Sequence, residues 1–148
     1  MHGIYRFSAS LLLVVTLALS GCQKYEDGPT FSLQSREGRV TGNWVAELVS
    51  RNEIEETSEY AVFNVQFSEN GRMTWRTQTF AVPVLVEVGA SWELANLDEE
   101  IKVTFDQVDP VSGETRLLYL KIQRLTKTEL WFDYQISGDR WRVRLRPA

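Results

Sequence analysis

Residues 140–146, near the carboxyl terminus, alternate strictly between arginine and an apolar residue: Arg-Trp-Arg-Val-Arg-Leu-Arg. Because successive side chains of a β-strand point to opposite faces, this pattern predicts a strand with one buried face and one wet face. Strands of that kind belong to antiparallel sheets, since parallel sheets are usually covered on both faces. The pattern therefore favours an antiparallel β fold.

Similar segments recur at even spacing along the chain, separated by turn signals. The predicted strands span residues 43–50, 60–67, 72–80, 84–94, 101–107, 115–123, 129–136 and 140–146. Asn70-Gly71 predicts a tight hairpin turn, and Ser137-Gly138-Asp139 joins the last two strands. No segment remains for a crossover helix. Eight antiparallel strands with one apolar face predict an all-β, up-and-down barrel, with a two-sheet sandwich as the alternative.

Alternation also assigns each strand an inward and an outward face. In the first two strands the predicted inward set is Trp44, Ala46, Leu48, Ala61, Phe63, Val65 and Phe67. The predicted outward set of the last strand is Arg140, Arg142, Arg144 and Arg146. Two interpretations of this arginine row stay open: a binding patch, or a solvated face that pairs with neighbours such as Asp133 and Glu47 and protects a sheet edge.

An apolar run near the amino terminus ends at the only cysteine of the chain. Arg6 precedes the run, residues 11–19 form it, and the small residues Ser20-Gly21 lead to Cys22. This order is that of a secretory signal peptide. The run is shorter than the roughly 20 apolar residues that span a bilayer.

Leu19-Ser20-Gly21-Cys22 resembles the bacterial lipobox. The resemblance implies cleavage before Cys22 and acylation of its thiol, as with palmitate, and of its new amine. Several acyl chains anchor a protein stably, whereas one chain binds a membrane only marginally. The expected organisation is a signal peptide at 1–21, a lipidated tether at 22–41 and a barrel domain at 42–148. The alternative is an ordinary signal peptide with an incidental cysteine.

The residues that follow the cysteine bear on where such a lipoprotein is sorted. Residue 23 is Gln rather than Asp, and Glu26-Asp27 form an acidic pair. By resemblance to bacterial sorting signals, Gln23 favours the outer membrane. The acidic pair resembles a surface-export signal, although tethers are often acidic simply to stay solvated. The expected location is therefore the outer membrane, facing the periplasm or the cell surface.

Charge and residue usage exclude several functional classes. The formal net charge is −4, and it becomes −5 once Arg6 is removed, which gives no electrostatic reason to bind nucleic acid. The single histidine, His2, lies within the signal, so histidine-dependent triads, Cys–His pairs and ordinary zinc sites are not expected after residue 22. No nucleotide-binding or hydrolase fingerprint occurs. The sequence predicts no enzyme, no cofactor and no metal site.

Several segments together resemble a bacterial family. Gly42-Asn43-Trp44 resembles the G-x-W motif of lipocalins, and the segments 67–71, 89–94 and 124–131 are similar to those of small lipocalin-like lipoproteins from Gram-negative bacteria. The resemblance covers most of the chain after Cys22. It implies a barrel and an envelope location, and it defines no ligand. It also implies that an arginine of the last strand, Arg144 or Arg146, packs over Trp44 at the closed end.

Loop lengths predict which end of the barrel is open. The long connections at 51–59 and 108–114 fall at one end, whereas the tight turns and both chain termini fall at the other. Near the loop-rich end the residues predicted to face inward include both polar and apolar side chains. The candidate ligand-binding residues among them are Thr77, Gln107, Arg116, Tyr134 and Trp141. Arg116 is the candidate to hold a carboxylate or phosphate. The alternative is that Arg116 extends to solvent and Tyr134 only caps the core.

The connection at 80–86 is unusually apolar for a loop. It is read either as a portal, partner contact or lipid-touching tip, or as a hairpin folded over the core. The first hypothesis on function is a non-enzymatic binder of a small amphipathic ligand, anchored to the membrane by Cys22. The alternative is an accessory envelope lipoprotein with a filled barrel that docks on a partner protein.

Overall fold

The computed structural model describes residues 34–108, 113 and 115–148. The predicted signal peptide, Cys22 and most of the predicted tether lie outside the described residues. The elements are α1 (Arg36–Val40), β1 (Gly42–Arg51), β2 (Ile54–Glu55), a 3₁₀ turn (Thr57–Glu59), β3 (Tyr60–Phe67), β4 (Arg72–Thr79), β5 (Val86–Ala95), β6 (Glu100–Val108), β7 (Thr115–Leu125), β8 (Leu130–Ile136) and β9 (Asp139–Pro147).

The strands form a closed antiparallel barrel. The sheet order is β2-β1-β3-β4-β5-β6-β7-β8-β9, and β1 also pairs with β9, which closes the ring. The short β2 pairs with the end of β1, so eight strands make the barrel wall. The predicted all-β, up-and-down, lipocalin-like barrel is confirmed, and the predicted strands agree with the observed ones to within two residues at each end.

The core lies inside the barrel and follows the predicted alternation over most of its length. Its members are contributed by every wall strand and by α1, and the largest fully buried ones are Phe67, Phe132, Met73, Ile101, Leu120, Leu125, Leu130 and Leu145. Burial of apolar surface of this kind contributes about 25 cal/mol per Å².

Two irregularities in strand pairing overturn the predicted inward positions of Leu48 and Ala61. The register of β1 against β9 shifts between Ala46 and Leu48, so Val49 is fully buried and Leu48 joins the outer surface. A second shift in β3 leaves Ala61 exposed and packs Tyr60 against the core. An extra residue in one strand reverses the side-chain alternation beyond it.

The helix α1 covers one end of the barrel, here called the closed end. The Ser35 hydroxyl caps the helix by accepting a hydrogen bond from the Gly38 N–H at 3.1 Å. Val40 is fully buried, and its carbonyl accepts a hydrogen bond from Trp44 Nε1 at 2.8 Å. Arg39 Nη1 donates to the Leu125 carbonyl at 3.0 Å. The helix α1 thus plugs this end.

The structure places Arg144 elsewhere than the resemblance implied. Arg144 lies on the outer face of β9, where its guanidinium carbon is 4.3 Å from the centroid of the Trp131 ring. Its cross-strand partner is Leu48, whereas Trp44 lies opposite Pro147. Because Trp44 points into the core, the barrel wall separates the two side chains. The buried arginine at the closed end is Arg39, supplied by α1.

Candidate functional site

An aromatic cluster fills the interior toward the other end, here called the loop-rich end. The Trp75 ring centroid lies 5.7 Å from that of Phe63, 6.3 Å from that of Phe132 and 6.0 Å from that of Tyr134. Tyr134 also stacks on Trp141, with centroids 6.0 Å apart and planes only 4° from parallel. Aromatic contacts of this kind contribute about 0.5–1.5 kcal/mol beyond the area they bury.

Three of the predicted ligand-binding residues converge. Tyr134 and Trp141 form the stacked pair, and the guanidinium carbon of Arg116 lies 5.9 Å from the Phe105 ring centroid. Burial raises the pKa of Tyr134 above its usual range, and the positive charge of Arg116 opposes that rise. Arg116 is exposed, so its side chain reaches solvent while staying electrostatically coupled to Tyr134.

The other two predicted residues lie apart from this group. Thr77 is partly buried on β4, between Phe63 of β3 and Val86 of β5 in the ladder. Gln107 is exposed near the end of β6. The connection at 109–114, which was expected to border the open end, lies outside the described residues apart from Gly113.

Arg51 is a contact of Trp141 that the sequence did not single out. Its guanidinium carbon lies 5.4 Å from the Trp141 ring centroid, and Glu56 holds the same guanidinium at 2.7 Å. A cation over an aromatic face contributes about 0.5–1 kcal/mol at an exposed site. Arg51 therefore fixes one side of the Tyr134–Trp141 stack.

The barrel wall has a gap between β7 and β8 toward the loop-rich end. Pairing of the two strands runs from Leu125 opposite Leu130 to Lys121 opposite Asp133, and no further pair between them forms within the described residues. Beyond that point β7 continues paired only with β6, and β8 continues paired only with β9. The two strands therefore separate between the Lys121–Asp133 pair and the loop-rich end of the barrel.

A cleft of about 470 Å³ occupies this gap, here called the β7–β8 cleft. It is lined by Leu117, Leu118, Tyr119, Lys121, Gln123, Asp133, Tyr134, Gln135 and Arg140. Its size falls within the range of about 300–1,000 Å³ that is typical of small-molecule sites. Tyr134 belongs both to the lining and to the aromatic cluster, so the cleft lies against the edge of that cluster.

Two large apolar side chains stand on the solvent side of this cleft. Both occupy outward positions of β7, where Leu117 is 50% exposed and Tyr119 is 46% exposed. Single exposed apolar residues are common on protein surfaces, but neighbouring ones beside a concave site mark a contact region.

Asp133 is the carboxylate of the cleft and is only 6% exposed. Arg140 Nη2 donates to it at 2.8 Å, and Arg142 donates twice, at 2.9 and 3.0 Å. Burial by itself raises the pKa of Asp133, but the hydrogen bonds and charges of Arg142 and Arg140 outweigh burial and hold it below its usual range. The predicted pairing of the arginine row with Asp133 is confirmed.

Asp133→Asn is expected to lower the free energy of unfolding at neutral pH by about 1–2 kcal/mol, because charged hydrogen bonds are lost while both guanidinium groups remain solvated. A carboxylate whose folded pKa is depressed stabilises the fold above its unfolded pKa, near 3.8, and that contribution is lost as pH falls through the lower folded value. The difference between wild type and variant should therefore shrink below about pH 4. Urea titrations at several pH values measure it, and a difference that is constant with pH would contradict the assignment.

Within residues 34–108, 113 and 115–148, no group of three or more histidine, cysteine, aspartate or glutamate side chains is placed to hold a metal ion. Over the same ranges, no helix has the length and hydrophobicity that crossing a bilayer requires.

No protein-family model matches the chain, and no curated protein matches it either. The site must therefore be interpreted from its own chemistry.

Proposed function

We propose that this protein is a non-enzymatic binding protein that holds a small amphipathic molecule, and that an acylated Cys22 anchors it to the outer membrane. The observation that carries the binding proposal is the β7–β8 cleft, which is lined by Tyr134, the residue that stacks on Trp141. Concave sites with apolar walls and a few polar groups are typical of small-molecule binding. The anchoring proposal rests on the lipobox-like segment at 19–22.

The cleft and the aromatic cluster together suit a molecule with unlike ends. Leu117, Tyr119 and Tyr134 offer apolar surface, whereas Lys121 and Arg140 offer hydrogen-bond donors. A ligand placed there makes contact with a wall of rigid strands rather than with a loop. The residues after Cys22 include no histidine, which is why we propose binding rather than catalysis.

A second candidate function is docking on another envelope protein. The connection between β4 and β5 carries Phe80, Val82, Val84 and Leu85, and each of these is at least half exposed. Its side chains therefore do not fold over the core, which removes one of the two interpretations left open by the sequence. Exposed apolar patches of this kind are typical of interaction sites.

Native mass spectrometry tests the binding proposal on the Cys22→Ser chain, exported with an ordinary cleavable signal peptide in place of residues 1–21 and recovered from the soluble fraction. We expect a retained small molecule, and we expect Trp141→Ala to lower its occupancy by about tenfold or more, because aromatic anchors dominate binding energy. Arg116→Ala should lower occupancy less, since Arg116 is exposed. Trp131→Ala is the matched control, because Trp131 also carries a guanidinium over its ring but lies on the outer face away from the cleft.

A mass without any bound molecule, together with co-purification of an envelope protein that is lost on Phe80→Ser and Val82→Ser, would instead support docking. Retention that is equally strong in the Trp141→Ala and Trp131→Ala variants would place the ligand elsewhere.

A further inference from the structure

The charged side chains of the β7–β8 cleft lie at the end of the cleft nearer the closed end of the barrel, where β7 and β8 begin to pair, and they are mainly positive. Lys121 stands on β7 directly opposite Asp133, and Arg140 reaches the same carboxylate from β9. Arg142 also holds Asp133, so two guanidinium groups share this carboxylate.

Lys121 forms no ion pair or hydrogen bond with other parts of the chain that the structure describes. On its other side it faces Glu100 of β6 in the ladder, and that carboxylate accepts a hydrogen bond from Asn96. Among the residues that line the cleft, Lys121 and Arg140 are cations and Asp133 is the one carboxylate, so the lining carries a net positive charge. A local positive excess on a chain of net charge −4 is a specific feature of this surface.

The apolar and charged parts of the cleft are separated along the strand direction. Lys121 and Asp133 lie where pairing resumes, whereas Tyr119 and then Leu117 lie progressively nearer the loop-rich end. Tyr134 lines the same stretch from the β8 side. A molecule with an anionic head and an apolar tail matches this arrangement from one end to the other.

We infer that the β7–β8 cleft is a binding site selective for amphipathic anions, with Lys121 and Arg140 holding a carboxylate or phosphate and Leu117, Tyr119 and Tyr134 contacting the apolar tail. This inference rests on the proposed binding function and adds the charge of the ligand and its place in the barrel wall. Charge-assisted hydrogen bonds from lysine and arginine to such anions are shorter and stronger than neutral ones.

Four probes with the same alkyl chain test the inference by calorimetric titration, below their micelle concentrations, of the Cys22→Ser chain without residues 1–21: dodecanoate, dodecyl phosphate, dodecanol and dodecyltrimethylammonium. We expect both anions to bind at least about tenfold more tightly than the alcohol, and the ammonium compound to bind most weakly. The ratio of the dissociation constants for dodecanoate and dodecyl phosphate identifies which anionic group is preferred.

The double variant Lys121→Gln, Arg140→Gln should remove the preference for anions and leave the affinity for dodecanol unchanged. The fold is expected to persist, because Arg142 keeps its two hydrogen bonds to Asp133. The matched control is Lys127→Gln, Arg146→Gln, which removes the same charge at exposed positions toward the closed end.

Leu117→Ser should weaken binding of every probe, whereas Leu97→Ser, at an exposed turn between β5 and β6, should not.

The outcomes separate the inference from the proposed function. If the alcohol binds as tightly as the anions, or if the double variant keeps the anion preference, the inference is overturned while binding itself stands. If Leu117→Ser leaves every affinity unchanged, the cleft is not the site. If none of the four probes binds, the inference is overturned, whereas the proposed function stands or falls on the native mass spectrometry.

Discussion

Replacing Trp44 with alanine is expected to lower the free energy of unfolding by about 3–5 kcal/mol, the usual cost of removing a large buried aromatic side chain. Trp44 is only 3% exposed, and its Nε1 donates to the Val40 carbonyl at 2.8 Å. The substitution both empties space at the closed end and leaves a carbonyl of α1 without its donor. A loss of this size is a large part of the roughly 5–15 kcal/mol that stabilises a typical domain.

Urea denaturation followed by circular dichroism measures this loss, and two variants separate its causes. Trp44→Phe keeps a ring in the core but removes the donor, and it should cost about 1–3 kcal/mol. Trp131→Ala removes a partly exposed tryptophan from the outer face and should cost about 1 kcal/mol. If Trp44→Ala cost no more than Trp131→Ala, the plug formed by α1 and Trp44 would not stabilise the barrel.

Replacing Cys22 with serine, together with an ordinary cleavable signal peptide in place of residues 1–21, is expected to move essentially all of the protein from the membrane fraction to the soluble fraction. The lipobox-like segment at 19–22 predicts that Cys22 carries the acyl chains, and Cys22 is the only cysteine of the chain. Without them no covalent anchor is expected, and several chains are what makes such attachment stable. Fractionation of cells followed by immunoblotting gives the measurement.

Gln23→Asp is the companion variant, because it should keep acylation and change only sorting. By resemblance to bacterial sorting signals, it is expected to shift the protein from the outer to the inner membrane on a density gradient. A Cys22→Ser protein that still sediments with membranes would contradict acylation at Cys22. A Gln23→Asp protein that stays in the outer membrane would contradict the sorting interpretation alone.

Much of the fold could be predicted because its determinants are local. The alternation of residues 140–146 and the turn at Asn70-Gly71 specify strands and hairpins without reference to the rest of the chain. The predicted positions of Leu48 and Ala61 were wrong because each follows or adjoins a pairing irregularity. A bulge is set by how two strands fit together, and the alternation within one strand does not show it.

The candidate site was predicted only in part. Tyr134 and Trp141 were placed on one inward face by alternation, and they do form a stacked pair. The gap beside them was not predicted, although Leu117 and Tyr119 at outward positions of β7 were a signal for it. Apolar side chains on a solvent-facing surface do not by themselves indicate a binding site. The separation of β7 from β8 shows that these two side chains border a cleft.

The sequence by itself determined the number of wall strands, their order along the chain and which side of most strands is apolar, because these follow from a two-residue period and from short turns. Only the tertiary structure decided that Arg39 rather than Arg144 is the buried arginine at the closed end, and that the wall parts between β7 and β8. These features depend on the register and closure of a ring, which are fixed by contacts between residues far apart in the chain.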